Sequence, residues 1–124
     1  MSATNNVLMV RPSKFNFNNQ TSKSNFFQKN IFECENELNL RVINEFDNLV
    51  TILRRYQINV HVLIDNDKPK KPDSIFPNNI FISLEKNKFI YSSMKCLNRR
   101  YERNNDITCN IIIPFIPVSY THLR

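Results

Sequence analysis

The chain has no glycine and no tryptophan among its 124 residues. Without glycine there is no phosphate-cradling glycine loop, and turns needing a positive φ must use another residue. Asparagine is the expected substitute, because its short polar side chain tolerates the left-handed region. Cysteine is scarce. Cys34, Cys96 and Cys109 are widely spaced and odd in number, which fits neither zinc-ligand spacing nor a disulfide framework and points to free thiols. No apolar run nears the roughly 18 residues of a membrane span, and MSATNNVLMVRP lacks the basic and apolar regions of a secretory signal. A cytoplasmic protein is expected.

What is present is ordinary for a folded core: 41% hydrophobic and 23% charged residues. The net charge is +6 and the pI about 9.4. The basic residues are scattered, however: Lys14, Lys23, Lys29, Arg54 and Arg55, then Lys68, Lys70 and Lys71. With no basic stripe and no recognition module, charge alone does not make a nucleic-acid binder.

Periodicity gives a coarse architecture. Val7–Val10 is a short apolar run stopped by Arg11-Pro12, as in a buried strand. Residues 13–30 form a long polar loop, with Phe15, Phe17, Phe26 and Phe27 as expected aromatic anchors. Leu38, Val42, Phe46, Leu49, Leu53 and Tyr56 recur at steps of three or four, widened by Ile43 and Val50. This predicts one helix over 36–57, with Glu45 and Asp47 facing water. The β-branched stretch 58–64 predicts a strand against that helix, with His61 structural. After the Pro-broken loop 65–72, strands are expected at 80–84 and 88–91, turning at 85–87, and a helix at 98–103. The order is α/β or α+β, and one helix with four strands makes an incomplete layer. Residues 117–124 (PVSYTHLR) resemble translated sequencing adapter and are set apart from residues 1–116 as a non-native or disordered tail.

Four segments in order carry a family resemblance. They are Met9–Pro12 continuing through Phe15, Phe17-Asn18, Thr21 and Asn25–Gln28; Glu45–Asp47; Pro72–Asn79 (PDSIFPNN); and Met94 with Asn98–Arg103. Over residues 8–107 the chain resembles the citrulline-hydrolase-type branch of the arginine-deiminase-related proteins, in the guanidino-modifying pentein superfamily. The resemblance implies an incomplete five-bladed α/β propeller, the first one to two ββαβ units. It further implies hydrolysis of a C–N bond in a small amino-acid substrate, citrulline foremost, with no cofactor. An amidinotransferase or arginine deiminase of the same superfamily is the alternative, and a small basic binding module the bland one. The cysteine nucleophile and relaying histidine match nothing here, so the resemblance places them beyond Arg124 and predicts that residues 1–124 alone are inactive.

The same resemblance assigns substrate-binding roles. Asn79 stands where the deiminase branch has an aspartate. A carboxylate pairs with a guanidinium, whereas a neutral amide complements a neutral ureido group; by residue type alone Asn78-Asn79 is a turn. Phe76 would wall the planar group, and Asp73 would hold the amino-acid end. Arg99 or Arg100, between which the sequence does not choose, would clamp the carboxylate. Asn25 and Gln28 would line the channel mouth. Ser24 and Ile80 depart from the family's usual asparagine and tryptophan.

Overall fold

The computed structural model describes residues 5–26, 28–29, 34–66, 68–84, 88–103 and 120–121. Strand β1 (Asn6–Arg11) pairs in parallel with β2 (Asn59–Ile64) in the register Val7↔Val60 and Met9↔Val62. Parallel strands need a crossover, supplied by α1 (Glu35–Arg55). Period-two alternation sends Val7, Met9, Val60 and Val62 to one face, where they meet Phe46, Val50 and Leu53 of the helix. Burial of this face is what holds α1, since isolated helices are marginal in water. Strand β3 (Phe81–Leu84) pairs antiparallel with β4 (Lys88–Tyr91), and β4 pairs in parallel with β5 (Tyr120–Thr121). A one-turn helix, α2 (Leu97–Arg100), passes into a 3-10 turn at Tyr101–Arg103.

The mixed α/β class and the expected β1, α1, β2, β3 and β4 are therefore present, and 98–103 is helical in two short pieces. The turn at 85–87 and Cys109 lie outside the described residues. So do 117–119 and 122–124 of the tail; Tyr120 and Thr121 lie in β5. No helix among the described residues is long and apolar enough to cross a membrane.

Three expectations change. The helical stripe is only partly covered: Phe46 is 5% exposed but Leu49 is 46% exposed and Tyr56 is also exposed. A sheet two strands wide covers a narrow strip of a helix, and Leu49 falls outside it. His61 is exposed on β2. In the long loop Phe26 is 92% exposed, and polar contacts pin the segment instead. The Phe15 N–H donates to Asn39 Oδ1 at 2.6 Å, Asn16 Nδ2 donates to Glu35 Oε1 at 2.8 Å, and Arg11 grips Asp47 through Nε and Nη2 at 2.8 and 2.9 Å. Those hydrogen bonds hold the Asp47 carboxyl below its usual range. The pair is exposed, so its contribution to stability is small.

The absence of glycine has its consequence at the end of α1. The Ile58 N–H bonds the Leu53 carbonyl and the Gln57 N–H bonds the Arg54 carbonyl, the two bonds of a Schellman motif. Its left-handed residue, normally glycine, is Gln57 at φ 61°, not an asparagine. Ile58 and Leu53 supply the accompanying apolar contact against the core.

Two outcomes follow for unfolding midpoints of the full-length gene product. Gln57→Gly raises stability by about 0.5 kcal/mol, because relief of a ~1–2 kcal/mol left-handed penalty outweighs glycine's added chain entropy. Phe46→Ala costs roughly 3–5 kcal/mol, while Leu49→Ala costs under about 1 kcal/mol because that side chain is half in water.

Candidate functional site

Two parallel strands deliver their carboxyl ends to the same side, where α/β proteins gather binding loops. From β1 comes the loop containing Asn18, Thr21 and Gln28, and from β2 the loop containing Asp65, Lys71, Asp73 and Phe76. The Asp65 N–H bonds the Arg11 carbonyl, fastening the two exits together. Lys71 Nζ then reaches Asp65 Oδ1 at 2.9 Å, both side chains being 8% exposed. Ser74 Oγ donates to Asp65 Oδ2 at 2.8 Å. Paired charge and saturated oxygens let this stretch leave water.

Asp73 sits in a second network. Its Oδ2 accepts from Asn18 Nδ2 at 2.6 Å and lies 3.3 Å from Thr21 Oγ1 and 3.8 Å from Arg99 Nε. Arg99 is committed elsewhere. Its Nε and Nη2 chelate Glu102 at 2.9–3.2 Å. Asn98 Nδ2 donates to Asn18 Oδ1 at 2.6 Å, closing α2 onto the first loop. Asn18 and Glu102 are each 1% exposed. Burial pushes the Glu102 carboxyl above its ordinary value, although Arg99 pulls it down; the charges of Asp73 and Asp65 add to the upward push.

The expected site residues separate into three groups. Asp73 and Arg99 meet in the buried network, and Gln28 joins its edge through Thr21 Oγ1, 2.9 Å from Gln28 Oε1. Phe76, Asn78 and Asn79 sit on the next turn, a 3-10 element at Pro77–Asn79 whose entry is fixed by the Phe76 N–H bonding the Asp73 carbonyl. All three are exposed. Phe76 and Asn78 line an open, mainly apolar groove of 630 Å³ with Met9, Phe15, Val42 and Leu49; Asn79 does not. Arg100 and Asn25 stand apart. Arg100 is exposed and donates to the carbonyls of Met94 and Lys95, and Asn25 is exposed on the first loop.

Asn18 and Glu102 belong to the motif segments, yet residue type gave neither a role. A buried polar residue and a solvated one are written alike in sequence. Cys34 and Cys96 are free thiols, and the Cys96 Sγ meets the Gln20 carbonyl at 3.4 Å. Among the described residues no cluster of His, Cys, Asp or Glu could hold a metal.

A family model described as N,N dimethylarginine dimethylhydrolase, eukaryotic, matches residues 11–113, which takes in both loops and α2. No curated protein and no solved structure matches the chain.

Glu102 makes the stability of the fold depend on pH. Its folded value is raised, so the folded state binds more protons than the unfolded state as pH rises past about 4.5. Stability contributed by this group is therefore present at low pH and lost as pH rises through the raised folded value. Glu102→Gln, a neutral isostere, is expected to flatten this dependence of the unfolding midpoint above about pH 4.5, and to lower the midpoint at pH 7 because Arg99 loses the carboxylate that chelates it. An unchanged pH dependence in the variant contradicts this.

Proposed function

This chain belongs to the dimethylarginine dimethylhydrolase family of guanidino-modifying hydrolases in the pentein superfamily, and we propose that its residues supply the substrate-binding wall of a hydrolase that cleaves a C–N bond in the planar end group of an arginine-derived amino acid. The single observation that carries the proposal is the sequence of surfaces from Asp73 to Asn79. A buried, hydrogen-bonded carboxylate is followed by an exposed aromatic ring and then by two exposed amides. Such a strip matches a ligand with a cationic amine at one end and a flat conjugated group at the other. The thiolate nucleophile and proton-relaying histidine come from outside residues 8–107, in a five-bladed propeller of which β1, α1 and β2 form an early part. A cytoplasmic location belongs to the same proposal.

For the substrate itself we favour citrulline. Asn78 and Asn79 are neutral, and their amides make no side-chain hydrogen bond among the described residues. They can therefore donate to a ureido oxygen and accept from its N–H groups. In the reaction the thiolate adds to the ureido carbon and ornithine leaves with a proton. Water then releases the carbamoyl group from sulfur, as carbon dioxide and ammonia. The second reading takes the substrate in the family's description, N,N-dimethylarginine, from which the same attack would expel dimethylamine and leave citrulline as product. Its cationic guanidinium would find no carboxylate at Asn78-Asn79. Asp73 binds the α-ammonium in both readings. For the α-carboxylate, Arg100 is the stronger candidate, since Arg99 is committed to Glu102. Asn25 and Gln28 flank the entrance.

The test is the full-length gene product assayed on citrulline, arginine and N,N-dimethylarginine, wild type against Asn79→Asp. A carboxylate at position 79 adds a charged hydrogen bond to a guanidinium, worth about 1.5–3 kcal/mol. The same carboxylate confronts the ureido oxygen with a second acceptor. The guanidino-to-ureido ratio of kcat/KM is expected to rise at least about tenfold. An unmoved ratio makes Asn79 a turn residue, and turnover of N,N-dimethylarginine alone decides for the second reading.

A further inference from the structure

We infer that Asn18 is a positioning residue, which holds the Asp73 carboxylate away from Arg99 and aims its other oxygen at the substrate's amine. The inference rests on the proposed role of Asp73.

An aspartate turns broadly about its last torsion, and a guanidinium nearby is a strong lure. Arg99 Nε lies 3.8 Å from Asp73 Oδ2, just short of a hydrogen bond. If Asp73 closed that gap, its charge would be spent inside the protein. Two features prevent it. Glu102 occupies Arg99 Nε and Nη2 from the other side. Asn18 Nδ2 takes Asp73 Oδ2 at 2.6 Å. Every hydrogen bond to the Asp73 carboxylate among the described residues falls on Oδ2, so Oδ1 keeps its acceptor capacity.

The polarity of the Asn18 amide is fixed by its neighbours. The Gln20 N–H donates to Asn18 Oδ1 at 3.0 Å, and Asn98 Nδ2 donates to the same oxygen at 2.6 Å. The Gln20 backbone N–H can only donate, so the atom it meets must be the oxygen and the atom facing Asp73 must be the N–H donor. Reversing the amide would set N–H against N–H and oxygen against carboxylate. Thr21 adds a weaker hold. Its single hydroxyl proton is shared among Asp73 Oδ2 at 3.3 Å, the Asn18 carbonyl at 3.3 Å and Gln28 Oε1 at 2.9 Å. Asn18 is only 1% exposed, so its amide lies out of reach of bulk solvent.

The experiment compares an amine-bearing substrate with the matching acid lacking the α-amino group, in the full-length gene product. The pair is citrulline and 5-ureidopentanoate, or the guanidino equivalents if N,N-dimethylarginine is what the enzyme turns over. Wild type prefers the amine-bearing member, and Asp73→Asn abolishes that preference. Asn18→Leu, nearly isosteric and without a donor, raises KM for the amine-bearing substrate by about tenfold with a smaller change in kcat. It moves the des-amino acid far less. Thr21→Val shifts KM in the same direction by about two- to threefold, and it keeps the test alive should Asn18→Leu fail to fold. A residue that merely supports the fold would depress both substrates together. Equal losses on both substrates, or unchanged discrimination in the Asn18 and Thr21 variants while Asp73→Asn abolishes it, overturn the inference. If Asp73→Asn still discriminates, the reading of Asp73 falls first and the inference falls with it.

Discussion

Removing the Asp73 carboxylate from water is the constraint around which the described residues are arranged. An ionised group can be buried only if other groups replace its hydration. Here the replacements come from two places in the chain: Asn18 and Thr21, in the loop after β1, donate hydrogen bonds, and Arg99 in α2 supplies a positive charge 3.8 Å away. Each helper makes its own demand. Asn18 needs donors for its oxygen and takes them from Gln20 and Asn98. Arg99 needs a carboxylate and takes Glu102. The network thus explains why a loop with an almost fully exposed Phe26 has a defined path without an aromatic core of its own.

Ion pairs of two kinds do different work in this fold. Arg11–Asp47 is wet and links the end of β1 to the middle of α1, where apolar packing already sets the approach. Lys71–Asp65 and Arg99–Glu102 are nearly dry. Desolvation makes such pairs doubtful as sources of stability, but each narrows the ways two loops can meet. The buried pairs lie at the carboxyl ends of β1 and β2, beside the exposed strip from Phe76 to Asn79. Rigidity is placed next to this exposed strip and not beneath the apolar core.

How much of this was legible in the sequence depends on the type of interaction. Strand β1, helix α1 and strand β2 follow from apolar spacing, because burial of a face repeats with the period of the backbone. The hairpin strands follow for the same reason. Leu49 and Tyr56 keep the helical period yet stay exposed, since the pattern does not report how wide the opposing sheet is. At the end of α1, the lack of glycine pointed to a substitute in the left-handed position, and Asn was the natural choice; Gln57 occupies it because the Leu53–Ile58 contact fixes the chain there. The motif resemblance singled out Asp73, Arg99 and Gln28, and the fold brings these three together. The parts of Asn18 and Glu102 were hidden, since their partners are set by contacts across the fold or by burial that no local pattern encodes.

The span of the Asn18–Asn98 bond, 80 residues, bears on the order of events during synthesis. At roughly 5–20 residues per second, Asn18 leaves the peptidyl-transferase centre about 4–16 seconds before Asn98 is made. During that interval β1 can wait for α1 and β2, but Asn18 cannot complete its bonds, because Asp73 is made 55 residues after it and Asn98 only at the end of the interval. The loop after β1 is thus the earliest part of this network to be made and among the last to settle. It is the segment a nascent chain would present longest to chaperones and proteases.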